Sequence, residues 1–221
     1  MRRICCISWI LAGLAQGLST VVVLLHKPAD VVTTHATDDI LDRPNVYQQL
    51  QADPSLPDRL DAIGRLDAAT TGLLLLTNDG GLIHHVTATS KIPKTYQAVI
   101  MGRYEESSPL LNQLRTEGID IGSKHGGWVQ PVPDLIVLDH PTPKSTLVSL
   151  SLTEGKNRQI RRMFHAGNSG VMKLHRCSIG SLTLDGVAEG EWRVLSDDEV
   201  REHLGWAPRK IEEGKKRRRR K

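Results

Sequence analysis

The sequence predicts an α+β domain built around one sizeable sheet, arranged in one or two lobes. Two apolar runs, VVVLL at 21–25 and LLLL at 73–76, are typical of fully buried strands. A third segment, STLVSLSL at 145–152, alternates between apolar and polar residues as a half-buried strand does. Strands and helical segments mix along the chain, and the sequence contains no internal repeat. Together these patterns favour the α+β class.

The first half of the chain contains two buried strands, a turn and two helical segments. Pro28 ends the first strand. The tetrapeptide NDGG at 78–81 predicts a turn after the second strand, followed by a short helix around 82–86. KTYQAVIMG at 94–102 is predicted as a strand. Residues 107–118 are predicted as a helix that begins at Ser108-Pro109 and ends at Gly118.

The second half is dominated by one amphipathic helix, RQIRRMFHAG. Asn157 is its predicted N-cap and Gly167 its predicted end. One face of this helix is apolar and the other is basic. The apolar face carries Ile160, Met163 and Phe164, and the basic face carries Arg158, Arg161, Arg162 and His165. Short strands are predicted within 172–186 and 192–195, and a final capped helix in SDDEVREHLGW at 196–206.

Positive charge is concentrated in two segments. The net charge is +4, but the last seven residues, KKRRRRK, carry seven positive charges, which leaves −3 for the rest of the chain. Any nucleic-acid binding by the folded part must therefore come from local clusters. One such cluster is GKNRQIRRMFH at 155–165, which has four Lys or Arg residues and no acid. A basic face of this kind is also typical of an ordinary solvated surface.

The N-terminus is open to three interpretations. After Met1-Arg2-Arg3 come 22 uncharged residues, a length that suffices to span a bilayer. The basic start and apolar middle are also typical of a secretory or organelle leader of about 17 residues, and a plain extension is the third possibility. We therefore expect a leader or extension at 1–20, a folded domain at 21–206 and a disordered basic tail at 207–221. The compartment stays open between cytoplasm, nucleus or nucleolus, and an organelle.

Metal and disulfide chemistry are not indicated by the sequence. The three cysteines, Cys5, Cys6 and Cys177, are not in a CxxC or metal-ligand spacing. The adjacent pair His84-His85 points in different directions on a helix, which is poor geometry for a metal. We expect no metal site and no nucleotide cofactor.

Asp67 occupies an unusual position, between Arg65-Leu66 and the small-residue loop that opens the buried strand at 73–76. A lone Asp in a loop is commonly a turn or cap residue that bonds to its own backbone. Taken alone, Lys94-Thr95-Tyr96 is likewise only a strand edge with a half-buried Tyr. The local sequence does not decide between these structural roles and catalysis.

Four motifs in order resolve this ambiguity: GRLDAATTGLLLLTNDG at 64–80, KTYQAVIMG at 94–102, EGKNRQIRRMF at 154–164 and LHRCSIGSLTLDGVAEGEWRVL at 174–195. This order resembles the RsuA branch of the pseudouridine synthases, which isomerise single uridines in ribosomal RNA. The resemblance covers about residues 21–196. It implies a central mixed, mainly antiparallel sheet flanked by helices, with two lobes and a cleft between them. LLHKPADVVTT at 24–34 also fits the family's opening strand, with His26 where Asn is usual and Asp30 where Gly is usual.

The resemblance also implies roles for individual residues. Asp67 matches the catalytic Asp, Tyr96 the Tyr that stacks on the target base, and Arg161 the Arg that pairs with the catalytic carboxylate. Ile160 matches the apolar residue that packs in the pocket. We expect contacts to RNA from Arg65, Lys94, Lys156, Asn157, Arg158, Arg162, Lys173 and Arg176.

The resemblance further implies a partner and a reaction. Many relatives carry a small RNA-binding domain ahead of the catalytic domain, and about 20 residues are too few for it, so the chain is most similar to the shorter RluE-type members. We therefore expect a monomer acting on ribosomal RNA, with the large subunit favoured over the small subunit or transfer RNA. A non-catalytic RNA-binding module of the same fold is the rival hypothesis. The reaction needs an ionised carboxylate beside an extruded base, and Arg161 is expected to keep it ionised.

Overall fold

One eight-stranded sheet forms the framework of the protein. The computed structural model describes residues 19–35, 43–51, 53–89 and 92–209. The strands are β1 (Val22–Lys27), β2 (Asp61–Ala62), β3 (Thr70–Thr77), β4 (Lys94–Met101), β5 (Ile119–Asp120), β6 (Trp128–Val129), β7 (Ile136–Thr142), β8 (Ser145–Leu152), β9 (Val171–Ile179) and β10 (Trp192–Val194). The helices are α1 (Val46–Gln51), α2 (Gly80–His84), α3 (Pro109–Thr116), α4 (Gln159–Ala166) and α5 (Asp197–Leu204), with a π-helical turn at His85–Thr89 and a 3₁₀ turn at Ser123–His125.

The strand order is β10-β1-β3-β9-β4-β8-β7, with β2 beside β3 and a separate small pair of β5 and β6. Neighbouring strands of the large sheet are antiparallel, except that β3 and β9 are parallel. The expected mixed, mainly antiparallel sheet is confirmed. The segments predicted as buried strands form β1 and β3, whose leucines are completely buried.

Two groups of helices cover one face of the sheet, which we call the front face. Helices α3 and α4 pack through Leu111, Leu114, Met163 and Phe164 on the β4–β8 half. Helix α1 packs on β1 and β3 through Val46, Tyr47 and Leu50. Alternate residues of β3, such as Leu73 and Leu75, point to the opposite or back face, where they meet α2 and α5. The front face therefore has two lobes with a cleft between them.

Gly72 allows β3 and β9 to approach closely at the floor of that cleft. It pairs with Arg176 and has φ of +109°. A Cβ atom at Gly72 would lie 2.3 Å from the backbone oxygen of Arg176, far inside a normal contact. A side chain there would force the two strands apart. The Gly in TTGLLLL is therefore required by the parallel pair that positions Arg176.

The start of α4 differs from the sequence expectation. The N-cap is Arg158, with left-handed backbone angles of φ 49° and ψ 35°, and not Asn157. Gln159 instead accepts a hydrogen bond from the Lys156 N–H through its side-chain oxygen, at 3.0 Å. Asn157 accepts hydrogen bonds from Arg162. The helix begins one residue later than predicted because the turn before it is closed by Gln159 and not by Asn157.

Two N- and C-terminal predictions fall largely outside the described residues. The leader at 1–18 and the basic residues 210–221 lie there. Within the described ranges, the model has no helix of the length and apolarity needed to cross a membrane. Thr20 and Arg209 form paired backbone and side-chain hydrogen bonds, so the two ends of the described chain lie side by side.

Candidate active site

The cleft contains a pocket of about 260 Å³ that brings together residues distant in sequence. It is lined by the loop before β3, by β4 and β9, and by the start of α4. Asp67, Tyr96 and Arg161 all line it, as the resemblance implies. Pockets that enclose a drug-sized molecule are usually larger, roughly 300–1,000 Å³. The size suits the entry of part of a ligand, such as one base of a nucleic acid.

The loop that carries Asp67 is fixed by the segment that follows β1. The Asp30 N–H donates to the Ala68 carbonyl at 2.9 Å. The Thr33 hydroxyl donates to the Leu66 carbonyl at 3.0 Å. The Lys27 ammonium also donates to the carbonyls of Ala68 and Thr70, which follow Asp67 in the chain. The carbonyls on both sides of Asp67 are therefore held, and the carboxylate projects from a restrained loop.

Lys27 is a contributor to the site that the sequence reasoning missed. Its side chain is completely buried, and its Nζ donates to the carbonyls of Pro28, Ala68 and Thr70 at 2.8, 3.1 and 2.9 Å. The signal was present in the sequence: Lys27 comes two positions after the unbroken apolar run at 21–25, at the end of a buried strand. Lys27 thus connects the end of β1 to the loop of Asp67.

We expect Lys27→Met to destabilise the fold and to slow turnover. The substitution removes this donor from the carbonyls of Pro28 and Thr70, at about 1–3 kcal/mol for each unsatisfied group, whereas the Ala68 carbonyl keeps the Asp30 N–H. The loop of Asp67 loses a restraint, so kcat should fall while RNA affinity changes little. Thermal unfolding, RNA binding and a turnover assay on the same preparation measure the three effects. An unchanged melting temperature would contradict the assigned role.

The stability difference between wild type and Lys27→Met should depend on pH. Burial lowers the pKa of Lys27 from 10.5 to about 8, against the opposing charges of Asp30, Asp67 and Glu189. Between pH 8 and 10.5 the unfolded chain therefore binds more protons, and the unfolding free energy of wild type rises with pH. Across this window the unfolding free energy of wild type should increase by roughly 3 kcal/mol relative to that of Lys27→Met. Denaturant titrations at several pH values test it, and a constant difference would mean that the Lys27 pKa is not lowered.

Asp67 lies close to two arginines, Arg161 in α4 and Arg158 at the N-cap of α4. The Arg158 Nη1 donates to the Asp67 carboxylate at 3.3 Å, and the Arg161 Nε lies 3.9 Å from the same oxygen, Oδ2. Arg158, which the sequence analysis assigned to RNA contacts, is thus the nearer cation. The Asp67 side chain is 30% exposed, so the carboxylate sits at the mouth of the pocket and not in its interior.

Arg161 is the better anchored of the two arginines. Its side chain is 14% exposed, against 49% for Arg158. Its Nη1 and Nη2 donate to the carbonyls of Val171 and Ala69 at 3.0 and 3.1 Å. Burial, then the charge of Arg158, lowers the pKa of Arg161, and Asp67 opposes this. Two carbonyls thus hold the guanidinium edge-on beside Asp67.

Tyr96 and Ile160 line the pocket from β4 and from α4, which packs on that half of the sheet. Tyr96 is half-buried on β4 and packs against the apolar clusters of both lobes. It pairs across the sheet with Arg176, so both side chains project from the front face. Ile160, 4% exposed, lines the pocket from α4. An aromatic ring and a branched aliphatic side chain therefore bound the space next to Asp67.

The residues expected to contact RNA do not form one surface. Arg65 is exposed at the pocket, but Lys156 pairs with Glu154 at 3.3 Å and donates to the Trp128 carbonyl. Glu154 lies just outside the acid-free cluster and also lines the pocket. Lys156 is therefore partly neutralised, and its expected role as a free phosphate contact is not supported by this geometry.

Two further expected contacts are separated by the sheet. Lys173 is exposed on β9, but its neighbours Leu174 and Arg176 point to the front face, so Lys173 points to the back face. Arg176 is 3% exposed and lies at the floor of the pocket. Arg162 is directed at Asn157. Strand alternation therefore places Lys173 and Arg176 on opposite faces of the sheet, and the RNA contacts expected of them stay predictions.

Lys94 also faces the pocket instead of solvent. Its Nζ donates to the Val86 carbonyl at 3.1 Å. Burial, and next the charge of Arg176, lowers the pKa of Lys94. Lys94 and Arg176 are therefore two cations close enough to interact at the pocket floor.

Unpartnered polar atoms mark the pocket as a ligand site. In the described ranges, three buried side-chain nitrogen or oxygen atoms have no hydrogen-bond partner: Thr70 Oγ1, Arg161 Nε and Arg176 Nη2. All three residues line this one pocket. Buried polar groups are nearly always paired in folded proteins, so an unpaired set in one cavity indicates groups that a ligand satisfies. The same ranges hold no group of three or more metal-ligating side chains.

Comparison with known proteins agrees with this geometry. The sequence profile of the RNA pseudouridylate synthase family matches residues 21–166. The chain is 34% identical over 187 residues to ribosomal small subunit pseudouridine synthase A of Pasteurella multocida, covering 80% of this chain and 71% of the relative. It is also 34% identical over 192 residues to the protein of that name from Escherichia coli K12, with 85% and 75% covered.

Comparison with solved structures also identifies the fold of the pseudouridine synthases. A crystal structure of a pseudouridylate synthase superposes with a TM-score of 0.69 at 33% identity, covering 85% of this chain and 74% of that one. A chain of the archaeal box H/ACA sRNP Nop10–Cbf5 complex has a TM-score of 0.54 at 16% identity, covering 78% and 50%, a likeness of fold alone. The chain belongs to the RNA pseudouridylate synthase family, and it is an RNA pseudouridine synthase.

Proposed function

We propose that this enzyme isomerises a single uridine of ribosomal RNA to pseudouridine, with Asp67 as the catalytic carboxylate. The observation that carries the proposal is the convergence of Asp67, Tyr96 and Arg161 with three unpartnered buried atoms in one base-sized pocket. Asp67 lies on a loop held by carbonyl bonds on both sides, which keeps its carboxylate in place where a base enters. No net redox change or group donor is needed, because product and substrate are isomers.

Each residue has a distinct role in the proposed reaction. Asp67 either attacks the substrate or stabilises cationic charge on the ribose. Arg161, held by two carbonyls, places a positive charge beside the Asp67 carboxylate. In this proposal Tyr96 stacks on the uracil ring, and its hydroxyl relays the proton that leaves carbon 5. Arg65 and Arg158 are the exposed cations at the pocket mouth that face the RNA backbone.

The two ribosomal subunits supply rival substrates. The resemblance to short RluE-type members favours large-subunit RNA. The two named relatives described above are called small subunit enzymes, which makes small-subunit RNA the second candidate. The uridine must leave its stack to reach Asp67, at a cost of about a few kcal/mol. We therefore expect the target in a loop or bulge, and we expect the enzyme to act as a monomer.

Incubation with transcripts of both ribosomal RNAs tests the proposal. We expect one new pseudouridine, mapped by carbodiimide-blocked reverse transcription, and stoichiometric tritium release from carbon-5-labelled uridine. Total RNA from cells with and without the gene identifies the natural position. Binding of RNA without any new pseudouridine in either assay would favour the non-catalytic RNA-binding module instead.

We expect the basic tail to increase RNA affinity without affecting chemistry. Deleting residues 215–221 removes seven positive charges from a chain whose remainder carries −3. The salt dependence of binding should become shallower, because each lost phosphate contact lowers the slope of log K against log salt by about 0.7–0.9. Binding isotherms at several salt concentrations measure this, with kcat at saturating RNA as the control. Identical isotherms at every salt concentration would rule the contribution out.

A further inference from the structure

Arg176 is a buried cation without an anionic partner. It is 3% exposed, and in the described part of the chain it makes no ion pair with a carboxylate. Its Nε donates to the Leu73 carbonyl at 2.6 Å, and its Nη2 is buried without a partner. A buried charge without compensating groups costs several kcal/mol, so a partner from outside the chain is expected.

Arg176 lies at the pocket, so the missing partner is expected to be a molecule bound there. It pairs with Gly72 on one side and with Tyr96 on the other, and all three residues belong to the front face. The Nε bond fixes the guanidinium against β3, the Nη2 atom has no partner within the protein, and Arg176 lines the pocket. Lys94 lies close enough for Arg176 to lower its pKa. The pocket floor is therefore rich in donors beside the Tyr96 ring.

We propose that Arg176 donates a hydrogen bond to a carbonyl oxygen of the extruded uracil, and that it selects uracil over cytosine. This inference rests on the proposed function of the pocket. A guanidinium is a donor with no acceptor atom. It matches the C4 carbonyl of uracil and is mismatched with the C4 amino group of cytosine, which is also a donor. A site built around one polar partner rejects the analogue that lacks it, because its own polar group is then left unpaired.

The same contact assists bond cleavage. When the bond between N1 and the anomeric carbon breaks, its electron pair stays on the base, whose negative charge spreads to the carbonyl oxygens. The base then rejoins the anomeric carbon through carbon 5, carbon 5 loses its proton, and N1 gains one, so atoms and electrons balance. A fixed cation at a carbonyl oxygen stabilises the negative base more than the neutral one.

A purely structural role is the alternative, because the Nε bond to Leu73 bridges β3 and β9. Arg176→Met removes both functions, whereas Arg176→Lys keeps the charge and one donor. Lys144→Met is the matched control, since it removes an exposed charge from the turn between β7 and β8, which is not part of the pocket lining. Melting temperatures of all variants report the structural contribution.

The test compares RNA fragments that carry uridine or cytidine at the mapped target position. Wild type and Lys144→Met should bind the uridine fragment roughly 10-fold or more tightly than the cytidine fragment, and this ratio should fall below about threefold in Arg176→Met. The kcat of Arg176→Lys should exceed that of Arg176→Met. A folded Arg176→Met protein that keeps the wild-type ratio would overturn the inference.

If Arg176→Met does not fold, wild type is assayed on RNA with 4-thiouridine or 2-thiouridine at the target. Sulfur is a weaker acceptor than oxygen, so turnover of 4-thiouridine should fall below that of 2-thiouridine, and turnover of 4-thiouridine at the normal rate would overturn the inference. Absence of pseudouridine formation by wild type on uridine would instead refute the proposed function. The two failures are therefore distinguishable.

Discussion

Asp67→Asn should eliminate measurable pseudouridine formation while leaving the protein folded and able to bind RNA. The change keeps the size of the side chain but removes its negative charge and its second carboxylate oxygen. A turn or cap residue tolerates this change well, because Asn serves in turns and caps about as well as Asp. In the structure, the described hydrogen bond of the Asp67 carboxylate joins it to Arg158, 91 positions later, and not to its own loop.

The assay is tritium release from carbon-5-labelled uridine in the mapped rRNA fragment. We expect a loss of at least about 10³-fold, the scale seen when a single preorganised charge is removed from an active site. The melting temperature should change by little, because Asp67 is 30% exposed and its pairs with arginine are screened by solvent. An Asp67→Asn protein that releases tritium at near the wild-type rate would end the assignment of Asp67 as the catalytic carboxylate.

The strands that frame the site were predictable because their burial is recorded in the local sequence. The runs at 21–25 and 73–76 became the central strands β1 and β3, and the alternation at 145–152 became β8. The helix predicted at 107–118 is α3, with Ser108 as its N-cap and Pro109 as its first residue. The final helix has a complete capping box of Ser196 and Glu199. Each of these signals depends on residues within one turn or one strand.

Long-range contacts were not predictable from the same patterns. Arg176 has the sequence context of an ordinary strand residue, and its burial follows only from the close approach of β3 at Gly72. Lys27 is fixed by the carbonyls of Ala68 and Thr70, more than 40 positions away. Lys156 donates to the carbonyl of Trp128, 28 positions earlier. These properties depend on where the sheet and its loops bring residues together.

The predicted N-cap of α4 was wrong by one residue, and this error changes which side chains are assigned to the site. The sequence favoured Asn157 as N-cap, which would place Arg158 within the first turn of the helix. In the structure Arg158 is itself the cap residue, with a positive φ, and its guanidinium reaches Asp67 at 3.3 Å. An unusual backbone conformation next to the proposed catalytic residue is consistent with a functional constraint. The ion pair of Asp67 therefore has two candidate arginines where the family motif implied one.

Arg161→Met should reduce kcat by about 10²-fold or more, and it should do so to a greater extent than Arg158→Met. Arg161 is the more buried cation, and two carbonyls hold it beside Asp67. Its loss leaves the Asp67 carboxylate with a half-exposed partner whose charge is screened by water. The variant also leaves the carbonyls of Ala69 and Val171 without their donor, so stability should fall by about 1–3 kcal/mol.

Arg162→Met is the matched control, because it removes the adjacent charge from α4 and leaves the pairs of Asp67 intact. Arg162 donates to Asn157 and has no described contact with Asp67. We expect its kcat at saturating RNA to stay near that of wild type. Single-turnover tritium release from all three variants, with thermal unfolding, separates the effects on chemistry from those on the fold. If Arg162→Met were the most damaging to turnover, the catalytic charge would lie on the other side of α4, and the pairing of Arg161 with Asp67 would be a structural contact only.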